Sequence, residues 1–564
     1  MKRMISLLLA GAAVLGLLSG CGGNTPNTAS GASETTASVQ ASAAPANTAA
    51  PTETPTSDPA SVMESMESAA EADIPQISYP LTDENVTLTY WQAWPPFLSS
   101  YCSLADCKTF AKLEEITGIQ LDFVEVDSES AGEKFNLMVT ASACTDLVQG
   151  GVQRYTGGGT QAIMDEVFYD LEPYVAQYMP NYNAAIGDDE SIRKALVDDE
   201  GQMAQICGIY NDYYYQDQGI WVRQDFLDQL KLDMPNTMDE LENVLEAFKT
   251  QLELPEPLVL LSAGTLTFLQ KTYETGMLVE DGQIIDNSIN DHMKDYYKKL
   301  HEWWEKGYVK KDFLSNSYSF IKPPEDTVYQ NKCGMFNEDV ASVETYVKNS
   351  ETPGFELRAM PQTLLTKDQK LLNGPIGSKL NEKYSLSIST NCSPDNAVLA
   401  CEMLDYMFSP EGSILGNYGV EGYSFEYGAD GKPQFTDFIL NHELGYQGAQ
   451  TAFINPRIPC LVDMGVAQLA YSDAQKEAVD VWRMNFTDST QTPPVYSMTA
   501  DELSEAASLQ VNINTYVSEM TLKFIMGEAD IDESWDDYVS TIKSMGYDTV
   551  LELNNQAYAR YLEK

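Results

Sequence analysis

The sequence predicts an α/β fold with largely parallel sheets, and three observations carry that reading. Val86-Thr87-Leu88-Thr89-Tyr90-Trp91 alternates in hydropathy as a half-buried strand does. A helical stretch from about Leu104 to Thr117 separates it from a second alternating run, Ile119-Gln120-Leu121-Asp122-Phe123-Val124, and helices and short strands continue to alternate after it, as in successive βαβ units. About 490 residues follow the first 73, more than one hydrophobic core ordinarily holds, so two lobes are expected.

In chain order, the first segment is a leader. Lys2 and Arg3 precede an apolar run from Ile5 to Leu18 that is too short and too abruptly ended to span a bilayer, so it reads as an export signal over residues 1–20. Leu18-Ser19-Gly20-Cys21 is similar to a lipobox, which implies cleavage before Cys21 and a diacylglyceryl thioether on its sulfur; the alternative is an ordinary signal with an unrelated cysteine. Several acyl chains on one residue would anchor durably. Gly22 to about Asp73 holds no aromatic and no basic residue. Such a stretch cannot bury enough apolar surface to offset its ordering entropy, so residues 21–75 read as a disordered tether with a coil reach of about 40 Å.

The folded part carries its own punctuation. Ser103 and Asp106 can cap the start of the first helix and Gly118 can end it. Thr237 and Glu240 form a capping box before the apolar stripe Leu241, Val244, Leu245 and Phe248. Ser393-Pro394 supplies an N-cap and a first-turn proline, Val398, Cys401, Met403, Leu404 and Phe408 face inward, and Ser409-Pro410-Glu411-Gly412 stops that helix. Trp535, Tyr538, Val539 and Ile542 recur at helical spacing before Gly546.

Charge narrows the partners. With 34 Lys+Arg against 84 Asp+Glu the net charge is −50, which excludes the cationic surface that nucleic acid requires and disfavours adsorption to anionic lipid. A neutral ligand suits this field, although a local arginine could still hold an anionic one. The eight cysteines beyond Cys21 (102, 107, 144, 207, 333, 392, 401 and 460) are scattered, with only Cys102 and Cys107 close in sequence, so mostly reduced, buried thiols are expected.

Several collinear segments resemble the extracellular solute-binding proteins of ABC importers (family 1), specifically the large lipoprotein sugar binders of Gram-positive bacteria. They are Phe110-Ala111-Lys112-Leu113-Glu114-Glu115-Ile116-Thr117-Gly118-Ile119; Lys134 to Ser142 leading to Thr145-Asp146-Leu147-Val148, where the family usually has proline at 145; Trp221 to Leu230 with the Pro235–Leu241 helix start; Glu411-Gly412 with Gly419-Val420-Glu421-Gly422-Tyr423; and Trp535-Asp536-Asp537-Tyr538 with Met545-Gly546, Ala557-Tyr558 and Arg560-Tyr561. The resemblance implies a two-lobed periplasmic-binding-protein-like (Venus flytrap) fold with discontinuous lobes, 80–210 plus 361–415 and 215–357 plus 418–564. It also implies an oligosaccharide held between the lobes, delivery to the transmembrane subunits of a permease, a monomer anchored at the extracellular face of the membrane only through Cys21, and no cofactor, metal or catalytic role. A cell-surface glycan-active enzyme or adhesin is the competing reading.

Sugars offer C–H faces that stack on aromatic rings and hydroxyl rims that bond carboxylates, amides and guanidinium groups. The loop after Leu147-Val148 sits where an open α/β sheet lines its crevice, and Gln153, Arg154 and Tyr155 match positions where the sugar-binding relatives place contacts. Tyr214 and Gln216 fall at the first expected lobe crossing, where three consecutive tyrosines cannot all face a core. Trp94, on the turn Ala93-Trp94-Pro95-Pro96, and Glu421 with Tyr423 complete the expected ligand contacts. Trp221, Trp303, Trp304 and Trp482 read as core.

Enzyme signatures are weak. Three histidines (292, 301, 442) are few for acid–base chemistry, and His301-Glu302-Trp303-Trp304-Glu305 lacks the second histidine a zinc helix needs. Gly157-Gly158-Gly159 lacks the lysine and hydroxyl of a phosphate loop, and Asp198-Asp199-Glu200-Gly201 misses EF-hand spacing and reads as a turn. A glycosidase needs only two suitably spaced carboxylates, which residue type alone does not exclude.

Overall fold

A computed structural model describes residues 74–211, 218–260, 266–315, 325–374, 379–487 and 491–564. The leader, Cys21 and nearly all of the tether lie outside them, as do Tyr214 and Gln216.

Ten strands build two separate sheets: β1 Val86–Trp94, β2 Ile119–Asp127, β3 Leu147–Gln149, β4 Ile206–Tyr210, β5 Gln218–Arg223, β6 Glu256–Leu258, β7 Cys333–Asp339, β8 Leu357–Ala359, β9 Leu380–Ile388 and β10 Leu461–Val462. The first sheet runs β10-β4-β9-β3-β1-β2 and the second β8-β5-β7-β6. β1 is parallel to β2 from Val86 opposite Ile119 to Trp94 opposite Asp127, and parallel to β3. β9 is antiparallel to β3 and β4, and β5 antiparallel to β7.

The sheets are thus mixed rather than largely parallel, and the reason is connectivity. β5 and β9 are each the first strand laid down after the chain passes from one sheet to the other, so each starts at the edge where the other strands finish.

The local signals act as their chemistry directs. Ser103 caps a single turn, Leu104–Asp106, but extended backbone at Cys107 divides the expected helix, which restarts as Lys108–Thr117. Gly118 ends it at φ +78°, a conformation that glycine reaches without steric cost. The Thr237–Glu240 capping box is formed in both directions, and Ser393 accepts from the Asn396 amide.

Each sheet is covered on both faces. In the first, Leu88, Tyr90, Phe110, Ile206 and Ile388 lie in one core, while Trp91, Phe135, Val148 and Phe168 lie in another. In the second, Val222, Leu245, Phe248 and Trp303 pack against helix 531–544, and Trp221, Phe336 and Trp482 form a separate cluster.

Two stretches differ from the expected lobe membership. Phe425, Ile439, Phe453 and Val466 belong to the first core, because β10 pairs with β4. Residues 360–371 stay with the second sheet, where Met360 is in the core and the Thr363 and Thr272 hydroxyls meet at 3.0 Å. The body built on the first sheet therefore comprises 79–210 plus 380–466, and the other 218–371 plus the C-terminal stretch.

All eight described cysteines are unpaired, and seven are buried. Asp198 closes the turn read from Asp198-Asp199-Glu200-Gly201, its Oδ1 accepting from the amides of Glu200 and Gln202.

Candidate functional site

The carboxyl edge of the first sheet is where the chain leaves and re-enters this body. Tyr210 ends β4, Leu380 begins β9 and Val462 ends β10, side by side: the Tyr210 amide donates to Lys379 O at 2.7 Å and the Asn211 amide to Val462 O at 2.9 Å. Three chain passages thus converge at one edge, the position where open α/β sheets take their ligands.

The turn after β3 builds part of this edge. Gly150 adopts φ +62°, letting the chain turn sharply into the short helix Gly151–Arg154. Arg154 Nη1 donates back to Gly150 O at 2.7 Å and to Gln149 O at 3.3 Å, and the guanidinium lies 5.3 Å from the Trp91 ring centroid. Burial and the charge of Arg457 together lower the pKa of Arg154. Gln153 is exposed; its Nε2 donates to Gln205 Oε1 at 3.0 Å and its Oε1 accepts from Ser385 Oγ at 3.3 Å. Helix start, β4 and β9 are thereby stitched into a polar ledge. On the neighbouring strands, the Oε1 atoms of Gln92 and Gln149 are buried with no donor among the described residues, a cost that water or a hydroxylated ligand would relieve.

The other expected contacts are placed differently. Trp94 is only 1% exposed, its ring in the first core and its Nε1 donating to Cys102 O at 2.9 Å, so in this structure it is enclosed rather than open to the edge. The reason is strand alternation: Leu88, Tyr90, Gln92 and Trp94 share one face of β1, and that face is covered. Tyr155 points its hydroxyl to Asp165 at 2.7 Å and packs its ring on Phe168. Glu421 is exposed, while Tyr423 is half-buried against Phe438 with ring centroids 5.3 Å apart.

Sequence reasoning missed the exposed rings beyond β1. Tyr101 is 42% and Phe438 40% exposed, and both ring systems meet the His442 imidazole, at 5.5 and 5.3 Å. The signal available was Phe97 and Tyr101 in the segment directly after an edge-reaching strand. Arg457 was missed as well. It is a half-buried arginine at φ +70°, between Pro456 and Pro459.

Two buried carboxyls and the three histidines are engaged in structural contacts. Glu338 is pushed up to about 7 by burial and by Asp339, but it is 4% exposed and takes a hydrogen bond from Tyr346 at 2.9 Å. Asp405, raised to about 6 by burial, is fully buried and accepts from the Tyr182 amide and from Asn181. His292 and His301 each set Nδ1 against a main-chain carbonyl, and His442 accepts the Leu444 amide. Glu302, beside His301, pairs with Lys299 and Lys306. A hollow of about 630 Å³ lies on the flank of the first body, lined by Ile77, Tyr79, Asn181, Lys379, Phe408 and Glu411 among others. Ile74, Gln76 and Ile77, among the first described residues, line it too, and its Lys379 is engaged by Asp189 at 3.3 Å. None of the described helices is long and apolar enough to cross a membrane.

Comparison with known proteins agrees with this architecture. Residues 106–414 match the family described as bacterial extracellular solute-binding protein. The chain is 22% identical over 492 residues to the fructooligosaccharide ABC transporter substrate-binding protein FusA of Streptococcus pneumoniae serotype 4 (strain ATCC BAA-334 / TIGR4), covering 80% of this chain and 86% of that one. It is 23% identical to Lipoprotein LipO of Bacillus subtilis (strain 168), over 82% and 91% of the two chains. Among solved structures, the alginate-binding protein AlgQ2 without calcium ion superposes with a TM-score of 0.69 at 20% identity, covering 85% of this chain and 99% of the other. At that identity the match speaks for the fold, which is two-lobed.

Proposed function

The chain belongs to the bacterial extracellular solute-binding protein family, and from that premise we propose that it captures an oligosaccharide between its two sheet-centred bodies and hands it, unaltered, to the transmembrane subunits of an ABC importer. The observation that carries this reading is the convergence of three chain passages at one sheet edge. Two bodies whose chain connections converge there can swing about the passages, so the faces beside them open and close as a hinge does.

The first body offers both surfaces a sugar needs. Gln153 and Arg154 supply amide and guanidinium groups for hydroxyls, and the exposed rings of Tyr101 and Phe438 supply stacking faces. Glu421 stands exposed on the same body. The protein acts as a monomer without cofactor or metal, held at the extracellular face of the membrane by lipid on Cys21. Catalysis is no part of the reading: Glu338 and Asp405, the carboxyls raised toward neutrality that are described above, are sealed from solvent.

A thermal-shift screen of the full chain against a panel of oligosaccharides tests it. A saccharide present at 100 times its dissociation constant should add roughly 2.7 kcal/mol of stability, and chromatography should recover it intact. Shorter products would instead mark a glycan-active enzyme, and a panel without any shift would remove the saccharide reading.

A further inference from the structure

We propose that residues 61–73, the stretch just before the described chain begins at Ile74, dock as a short amphipathic helix in the hollow on the flank of the first body. The tether to the membrane would then depart beside the chain passages. The sequence of this stretch differs from what precedes it. Residues 22–60 hold Val39 as their one large apolar residue, whereas Val62, Met63 and Met66 fall within five positions. Ser61-Val62-Met63-Glu64 has the S-x-x-E order of a capping box. No glycine or proline interrupts 61–73, and methionine, glutamate and alanine favour helix. At about 100° per residue, Val62, Met63, Met66, Ala69 and Ala70 share one side and Glu64, Glu67 and Glu71 the other.

Such a stripe needs a surface, because an isolated helix shorter than about 12 residues is marginal in water. Connectivity leaves one close at hand. Ile74, Gln76 and Ile77 line the hollow, so the chain before them arrives at its rim. A helix over 62–72 would span about 16 Å, and only Asp73 separates it from Ile74. The stripe therefore stays within reach of the hollow. The walls suit it. Helices Pro180–Ile186 and Glu190–Leu196 present Ala184, Ala185, Ile186 and Ile192, and Phe408 faces them from the turn after Pro394–Tyr406. The hollow's volume of about 630 Å³ is that of a site built to be filled. Its small alanines leave room for methionines, whose unbranched chains adapt to irregular gaps.

The lipid surface is the weaker host for the same stripe. Helices that lie in a membrane interface carry lysine and arginine on their polar side, whereas this one carries three glutamates and no basic residue, so anionic lipid would repel it. In the hollow the acidic side faces solvent at no such cost. Docking there also places the tether. Tyr210, Asn211, Lys379 and Leu461, which lie on or beside the three chain passages, line the same hollow. The anchor would thus hold the molecule close to the pivot, where a swing of the bodies displaces the chain least. The free tether shortens to residues 22–60, with a coil reach of about 35 Å.

Amide hydrogen exchange of the full chain, read by mass spectrometry, tests this. Peptides from 61–73 should exchange more slowly than those from 22–60, by roughly tenfold or more. Met66→Asp sets a charge in the stripe, and Ala184→Glu sets one on the wall at an exposed position. Either should return 61–73 to the rate of 22–60 while the strands of the first sheet keep their protection, which shows that the variants are folded. Exchange of 61–73 as fast as that of 22–60 in the parent, or protection that survives both substitutions, overturns the proposal. Protection found only in a dimer on size-exclusion chromatography, which would seat the helix on a second copy, or only with phosphatidylglycerol vesicles, overturns it as well.

Discussion

Arg560, in the C-terminal helix Tyr547–Glu563, reaches from the body of the second sheet to Asp199, which lies just before β4 in the first. Lys564 reinforces the contact with its Nζ 2.9 Å from Asp199 Oδ1, and Arg560 Nη1 is tied back to Glu502 Oε1 at 2.9 Å. One acid of the first body is therefore clasped by two cations of the second, so the relative position of the bodies depends on this cluster as well as on the chain passages.

Burial alone would raise the Asp199 carboxyl, but Lys564 and Arg560 outweigh it and hold the group below its ordinary value. A depressed folded pKa means that the contribution is present above the unfolded pKa and disappears as pH falls through the folded one. Asp199→Asn should therefore cost about 1–3 kcal/mol at pH 7 in urea denaturation. The gap between variant and parent should close in strong acid. An equal gap at all pH values would show that the cluster acts through packing alone.

Glu338 predicts the opposite slope. Burial and Asp339 raise it from 4.5 to about 7, so the folded state holds a proton there that the unfolded state has released. Stability should fall as pH rises from 4.5 to about 7 and then level off, by up to about 3 kcal/mol for this group. Thermal melts at pH 5 and pH 8 should lie further apart for the parent than for Glu338→Gln. Identical pH slopes would remove Glu338 as the cause.

Gly219 is fixed by contact rather than by backbone conformation. A Cβ there would meet the Trp482 ring at 2.3 Å, and that ring stands edge-on to Trp221 at 5.3 Å. Gly219→Ala should overpack the cluster and destabilise by about 1–3 kcal/mol, read from denaturant midpoints at unchanged m-value. A neutral result would mean that Trp482 has room to move.

Arg457→Gly isolates the effect of the left-handed backbone at this position. Glycine accepts φ +70° without penalty, so the empty protein should gain up to about 1 kcal/mol in thermal melts even though glycine widens the unfolded ensemble. Loss of stability would instead assign the Arg457 side chain a packing role.

What the sequence disclosed followed the range of the forces involved. Thr237 with Glu240, Ser393 and Gly118 act within four residues, and each does what its chemistry prescribes. The strands at 86–94 and 119–127 were visible because they alternate. The membership of 425–466 was hidden because it is decided by a two-residue strand, Leu461–Val462, pairing with β4 some 250 residues earlier. Trp94 lies inward because the alternation that identifies β1 also buries it with Leu88 and Tyr90. Arg457 gave no local sign, since a left-handed backbone is ordinarily marked by glycine or asparagine.

Small-angle X-ray scattering of the full chain, with and without a saturating oligosaccharide found in the thermal-shift screen, tests the hinged capture most directly. The account predicts a smaller radius of gyration with ligand present, reversed when the ligand is dialysed away. An unchanged radius at full occupancy would contradict it.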